Sequence, residues 1–289
     1  MTKMLEENLS IEQAFDLAVQ HYQKGNFQEA EILYRKILEV NPKHYQSLGY
    51  LGLLAKQFKK YDISRRLLEK AIQINPNLAK AHSNLGLLYQ ELGEYQKAIK
   101  CCQKAIEIQP NFENAYYNLG LAYEQLNEFQ KSISCYEKAI KINPNYASAH
   151  NNLGNVFKEL REYKKAVDCY KMAIQIVPNY ANTYNNLGIV FKELGEYQKA
   201  IDCYKNAIQI DPKYINAYNN LGMILGELDR NNEAKKYFEK SLNLDPNREK
   251  TCVGYSDILF KLNQHNQALE YLRKGAGFIK FTQKDFKII

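Results

Sequence analysis

The sequence predicts an all-α fold, a solenoid of stacked helix-turn-helix repeats, on three observations. The seven prolines stand at positions 42, 76, 110, 144, 178, 212 and 246, each 34 residues after the one before. Between them apolar residues recur at three- and four-residue steps, the period of an amphipathic helix. No strand of any length is expected. In a chain of 289 residues, a fixed period of this size signals stacked supersecondary units, because each unit exposes an apolar face that only its neighbours cover.

Taken in order, residues 1–10 form a lead-in, and Ser10 followed by Gln13 has the form of a capping box before Ala14, Leu17 and Ala18. A first helix is expected there, ending at Gly25. Phe27, Ala30, Tyr34, Ile37 and Leu38 describe a second amphipathic helix that stops before Pro42. The same pattern repeats at 11–44, 45–78, 79–112, 113–146, 147–180, 181–214 and 215–248, seven repeats within 11–248, with the proline at repeat position 32. Position 7 is always Leu, and position 8 is Gly in six repeats (Gly52, Gly86, Gly120, Gly154, Gly188, Gly222). A glycine inside a helix costs about 1 kcal/mol against alanine. Close approach of the second helix is the expected offset, since its position 20 is also small (Ala30, Ser64, Ala98, Ser132, Ala166, Ala200, Ala234). Rings at positions 17 and 24, among them Tyr163, Tyr197, Tyr170 and Tyr204, are expected to supply buried area around that contact.

A divergent eighth helix pair is expected at 249–277, without the proline and with Ser256 in place of the glycine, as a cap on the stack. The tail at 278–289, FIKFTQKDFKII, mixes Phe278, Phe281 and Phe286 with lysines. It is expected to lie back over the last repeat, with self-association or docking on another chain through this C-terminal end as the alternatives.

Composition narrows the class. Hydrophobic content of 45% with 25% charged residues is that of a folded protein. The start, MTKMLEENLSIEQAF, has no apolar run for a signal peptide, and no 18-residue uncharged apolar stretch occurs, so a cytoplasmic protein with no membrane segment is expected. Cys101, Cys135, Cys169 and Cys203 fall at one repeat position, about a helix diameter of roughly 10 Å apart, too far for a disulfide. Neither they nor Cys102 and Cys252 have metal-binding spacing, so reduced thiols and no metal are expected.

The period, Leu at position 7, Gly at 8, small residues at 20 and 27 and Pro at 32 closely resemble the tetratricopeptide repeat. The resemblance covers 11–248. One departure is position 4, where the family often has Trp; this chain has none and uses His82, Tyr116, His150, Tyr184 and Tyr218. The resemblance implies a right-handed superhelical solenoid whose first helices turn positions 2, 5, 6, 9, 12 and 13 into a concave groove. Along that stripe position 6 holds Asn84, Asn118, Asn152, Asn186 and Asn220, and positions 5 and 9 add Asn151, Asn185, Asn219 and Asn155. These amides form a ladder similar to the one in the repeat region of O-linked N-acetylglucosamine transferases. A carboxamide both donates and accepts, so it suits a peptide backbone whatever side chains that peptide carries. The alternative is that these asparagines bond only locally or to water.

The six groove positions carry four basic residues (Lys56, Lys80, Lys158, Lys192) and seven acidic ones (Glu12, Asp16, Glu91, Glu124, Glu159, Glu193, Glu227), a net of −3. Phosphate backbones need the opposite sign, so no nucleic-acid partner is expected although the chain carries +7. The family's carboxylate clamp for chaperone tails is absent, since position 5 never carries Lys and position 6 never carries Arg. No nucleophile-elbow, zinc-protease, phosphate-loop or dinucleotide motif occurs, so no enzyme and no cofactor are expected. The expectation is a non-catalytic scaffold that binds an extended, neutral-to-basic polypeptide along these asparagines, with Glu159 and Glu193 biasing charge. A targeting or substrate-recruiting arm of an enzyme complex, with catalysis on a separate chain, is the rival.

Overall fold

The computed structural model describes residues 9–276, 279–281 and 286–288. They form consecutive helical hairpins in two compact units, Met1–Pro144 and Asn145–Ile289. The first unit holds α1 (Ile11–Gln23), α2 (Phe27–Val40), α3 (Tyr45–Gln57), α4 (Tyr61–Ile74), α5 (Ala79–Glu91), α6 (Tyr95–Ile108), α7 (Glu113–Gln125) and α8 (Phe129–Ile142). The second holds α9 (Ala147–Glu159), α10 (Tyr163–Ile176), α11 (Ala181–Glu193), α12 (Tyr197–Ile210), α13 (Ile215–Glu227), α14 (Asn231–Leu244), α15 (Glu249–Lys261) and α16 (His265–Ala276). Within each unit odd helices pack on the even helix that follows and on the next odd helix, which makes each unit an all-α solenoid of four hairpins.

Helix ends follow from local chemistry. The Ser10 side chain accepts from the Gln13 N–H at 3.2 Å, and the Gln13 side chain accepts from the Ser10 N–H at 2.9 Å, which closes the capping box. Every first helix ends on a residue with positive φ at repeat position 15: Gly25, Lys59, Gly93, Asn127, Arg161, Gly195, Asp229 and Asn263. The left-handed turn recovers orphan carbonyls, as where Lys60 N donates to Ala55 O and Lys59 N to Lys56 O, both at 2.8 Å. Second helices stop one residue short of the proline. There Asn41, Asn75 and Asp211 accept from the backbone N–H two residues on, folding the chain around the proline into the next repeat.

The core revises the expected role of position 8. A Cβ placed on Gly120, Gly154 or Gly188 would stand 2.6–2.7 Å from Cε1 of Tyr136, Tyr170 or Tyr204, and on Gly222 it would stand 2.8 Å from the Phe238 ring. The glycine therefore makes room for the ring at position 24 more than for the small residue at position 20. Those four rings are fully buried, whereas rings at position 17 are only partly covered, Tyr197 remaining 42% exposed. Burying a large ring stabilises by roughly 1.5–3 kcal/mol, more than the glycine costs. The hairpins are further closed by lysines over the ring at position 11: Lys97 on Tyr89, Lys131 on Tyr123, Lys165 on Phe157 and Lys199 on Phe191, at 5.1–5.4 Å. Each lysine also pairs with the glutamate three residues before it.

The C-terminal segment departs from the expectation of no strands. β1 (Ile279–Phe281) and β2 (Phe286–Ile288) pair antiparallel, with Ile279 opposite Ile288 and Phe281 opposite Phe286. Apolar residues on either side of Lys280 and of Lys287 give the period-two pattern of a strand over three residues, too short to stand out beside the helical repeats. Phe278 and residues 1–8 of the lead-in lie outside the described residues. All six cysteines are free thiols; Cys102, Cys135, Cys203 and Cys252 are buried, and Cys101 and Cys169 half-buried.

Candidate functional site

The asparagines of the first helices fall into two sets. Those at position 5 are buried in the seam between one first helix and the next: Asn151 is 2% exposed, Asn185 4% and Asn219 6%. Their oxygens accept from the following repeat, and that of Asn219 also from its own second helix. Thr183 Oγ1 donates to Asn151 Oδ1 at 2.9 Å, and Asn220 Nδ2 to Asn185 Oδ1 at 2.8 Å. Asn219 Oδ1 accepts from Thr251 Oγ1 at 2.9 Å and Ser241 Oγ at 2.8 Å. In the first unit Ser83 fills the same role, accepting from Asn118 Nδ2 at 3.1 Å.

At position 6 Asn84, Asn152 and Asn220 are half-covered, while Asn118 and Asn186 are buried at 7% and 9% exposure, close to Asn219. Asn118, Asn186 and Asn220 each donate through Nδ2 to the preceding repeat, Asn186 to Asn155 Oδ1 at 3.0 Å. Asn155 Oδ1 also accepts from the buried Tyr170 hydroxyl at 2.8 Å. Asn152 Oδ1 accepts from Asn151 Nδ2 at 3.0 Å and Asn155 Nδ2 at 3.4 Å. The second unit thus brings Asn151, Asn152, Asn155 and Asn186 into one network and sets Asn185 with Asn220 in another. Asn84 makes no side-chain hydrogen bond among the described residues.

Charges on the same face are mostly paired. Lys56 meets Glu91 at 2.8 Å and Lys192 meets Glu227 at 2.6 Å, each across one repeat. Glu159 lies 3.2 Å from Lys158, and Glu193 accepts from the Tyr163 hydroxyl at 3.5 Å. In the first unit Glu124 accepts from the Tyr136 hydroxyl at 2.6 Å. Burial, and then that carboxylate, push the tyrosine far above its ordinary range. Sequence counting missed position 9, whose residues are apolar in six repeats: Val19, Leu53, Leu87, Leu121, Ile189 and Met223. Met223 is 47% exposed and the other five half-buried. Apolar residues beside the amides of each unit are legible from the period alone when the stripe is read for hydrophobicity as well as for charge.

Among the described residues no helix is long and apolar enough to cross a membrane. Family models of the tetratricopeptide repeat match residues 12–44, 79–112, 113–146, 145–213, 179–247 and 249–277, and one of the TPR repeat matches 59–93. Together these matches span most of the chain, and the chain belongs to the tetratricopeptide repeat family. Its structure is similar to the crystal structure of MamA, at 28% identity and a TM-score of 0.51 over 56% of this chain and 95% of that one. PilF of Pseudomonas aeruginosa is similar at 20% identity and a TM-score of 0.63, over 72% of this chain and 94% of that one. The APC/C hetero-tetramer Cut9–Hcn1 is similar at 17% identity and a TM-score of 0.74, over 84% of this chain and 48% of that one, so the chain spans about half its length. The last two likenesses concern the fold alone. No curated protein matches the chain. Fold and family define a protein-interaction scaffold, of a class that is generally non-catalytic.

Proposed function

We propose that the first-helix face binds an extended, neutral-to-basic segment of another protein, without catalysis and without nucleic acid. The observation that carries this reading is the state of the position-6 amides. Asn118, Asn186 and Asn220 spend an N–H on the preceding repeat, and their Oδ1 atoms receive no hydrogen bond from any described residue. A carbonyl oxygen without a donor gains from one, and an extended chain offers backbone N–H groups at regular intervals to the amides of either unit. In the first unit Asn84 adds a further amide; in the second Asn151, Asn152, Asn155, Asn185 and Asn219 hold Asn186 and Asn220 in place, and Glu159 and Glu193 favour basic side chains beside them.

A library of random displayed peptides panned on the full chain tests the reading. A selected peptide should bind the combined Asn118→Ala, Asn186→Ala, Asn220→Ala variant at least about tenfold more weakly, because each lost hydrogen bond is worth roughly 0.5–1.5 kcal/mol. Full affinity in a folded triple variant would refute the assignment.

A further inference from the structure

In the second unit the first-helix face carries a cavity between α13 and α15. Two positions with larger side chains elsewhere are glycine here. Gly226 stands at position 12, where other repeats have Lys56, Gln90, Glu124, Lys158 and Lys192. Gly254 stands at position 6 of the eighth pair, the ladder position that is asparagine in five repeats. Both line a cavity of about 200 Å³ with Phe238, Met223 and Ile258 as its apolar lining, and the place a Cβ would take is filled by Ile258 Cδ1 at Gly226 and by the Phe238 ring at Gly254. Nothing separates Gly254 from the Phe238 ring, since a Cβ on Gly254 would lie 2.9 Å from ring carbons Cε1 and Cζ. Met223 is among the more exposed large apolar residues, while Ile258 and Phe238 are buried.

Three charged residues line the same cavity. Glu227 is held by Lys192 at 2.6 Å. Lys261 donates to the Gly226 carbonyl at 2.6 Å and stands 3.4 Å from Asp229. The exposed Asp257 carboxylate has neither a hydrogen bond nor an ion pair among the described residues. The site therefore combines an apolar floor large enough for one aliphatic side chain with the Asp257 carboxylate at its edge, which Lys261 attracts without forming an ion pair with it.

We propose that this cavity is the anchor pocket of the peptide-binding face, taking one leucine- or methionine-sized side chain of the bound polypeptide while a lysine or arginine next to it meets Asp257. The inference rests on the reading that the first-helix face binds extended polypeptide, and it adds which residue of that polypeptide carries the affinity. The amides contact backbone and are indifferent to sequence; the pocket supplies the selectivity they lack.

The test uses peptides selected on the full chain from a random display library, with binding measured by fluorescence anisotropy against the wild type, Gly226→Gln and Asp257→Lys. Gly226→Gln places in the cavity the side chain that position 12 carries as Gln90. Its new Cβ meets only the flexible end of Ile258, at 2.4 Å from Cδ1. Asp257→Lys alters an exposed residue and keeps the test available if the first variant folds poorly. Selected peptides should share an aliphatic residue adjacent to a basic one. Replacing that aliphatic residue by alanine should weaken binding to the wild type about tenfold or more, from the apolar area it buries, and have little effect on Gly226→Gln. Asp257→Lys should weaken the basic peptides about threefold, an effect that fades with salt. Peptides that bind but lack the anchor, or that bind Gly226→Gln and Asp257→Lys as tightly as the wild type, overturn the pocket alone. Selection of no peptide overturns the peptide-binding reading and the pocket with it.

Discussion

Alanine at two helical glycines should act in opposite directions. At Gly188 the new Cβ would lie 2.6 Å from Cε1, 2.9 Å from Cδ1 and 3.1 Å from Cζ of Tyr204, a ring 1% exposed. At Gly49 the same atom would find nothing within 4 Å. Both substitutions gain helix propensity of about 1 kcal/mol, so that term cancels between them. What remains is the cost of displacing a buried ring, about 1–3 kcal/mol. Gly49→Ala should therefore stabilise by up to about 1 kcal/mol, and Gly188→Ala should destabilise by up to about 2 kcal/mol. Urea unfolding followed by helical circular dichroism measures the change, and hydrogen exchange in α3 and in α11–α12 shows where it falls, which matters because repeats can open locally. A Gly188→Ala protein as stable as the wild type, or a Gly49→Ala protein weakened to the same degree, would refute the reading of position 8 as the seat of the position-24 ring.

Asn219→Ala should cost about 1–3 kcal/mol, because it removes the one acceptor shared by two buried hydroxyls. The loss is held down by the Ser241 and Thr251 hydroxyls lying 3.2 Å apart, able to bond each other; thermal unfolding with exchange in α13–α15 measures it. Burial raises the thiol of Cys101 from 9.0 to about 11 and those of Cys135 and Cys203 to about 12. With the folded values above the unfolded one, this contribution to stability is complete below pH 9.0 and is lost as pH climbs toward 11 and 12. The melting temperature should fall across that window, and alkylation resolved by mass spectrometry should be slower at these three thiols than in the unfolded chain.

Single residues with strong local consequences were the legible part. Proline fixed the repeat boundaries, Ser10 and Gln13 the first cap, and Gly25 the first turn, because each acts on its own backbone. The later turns were hidden wherever Lys59, Arg161 or Asp229 adopts the left-handed conformation without glycine to announce it. A helical wheel puts position 5 on the open stripe, but it carries no account of the neighbouring repeat that covers Asn151, Asn185 and Asn219. Charge counting gives the sum but not the pairing, since Lys192 and Glu227 stand 35 residues apart in sequence and 2.6 Å apart in space. The strands at 279–281 and 286–288 were too short for a periodicity test.

The seam between first helices has a polarity, and that polarity bears on what the face can bind. In five side-chain to side-chain bonds at positions 5, 6 and 9 and their neighbours the donor belongs to the later repeat and the acceptor to the earlier one: Asn118 to Ser83, Asn186 to Asn155, Asn220 to Asn185, Thr183 to Asn151, Thr251 to Asn219, whereas at position 12 Gln90, Lys56 and Lys192 donate forward. An asparagine at position 6 used in this way keeps one N–H but a whole carbonyl oxygen with two lone pairs. Its remaining capacity is weighted toward accepting. Glu159, Glu193 and Asp257 lean in the same direction. A seam of reversed polarity would have left N–H groups in surplus and suited carbonyl-rich or acidic segments. The direction of a few buried hydrogen bonds, fixed by which repeat supplies Ser, Thr or Asn, is thus what tilts the proposed partner toward peptide N–H groups and basic side chains.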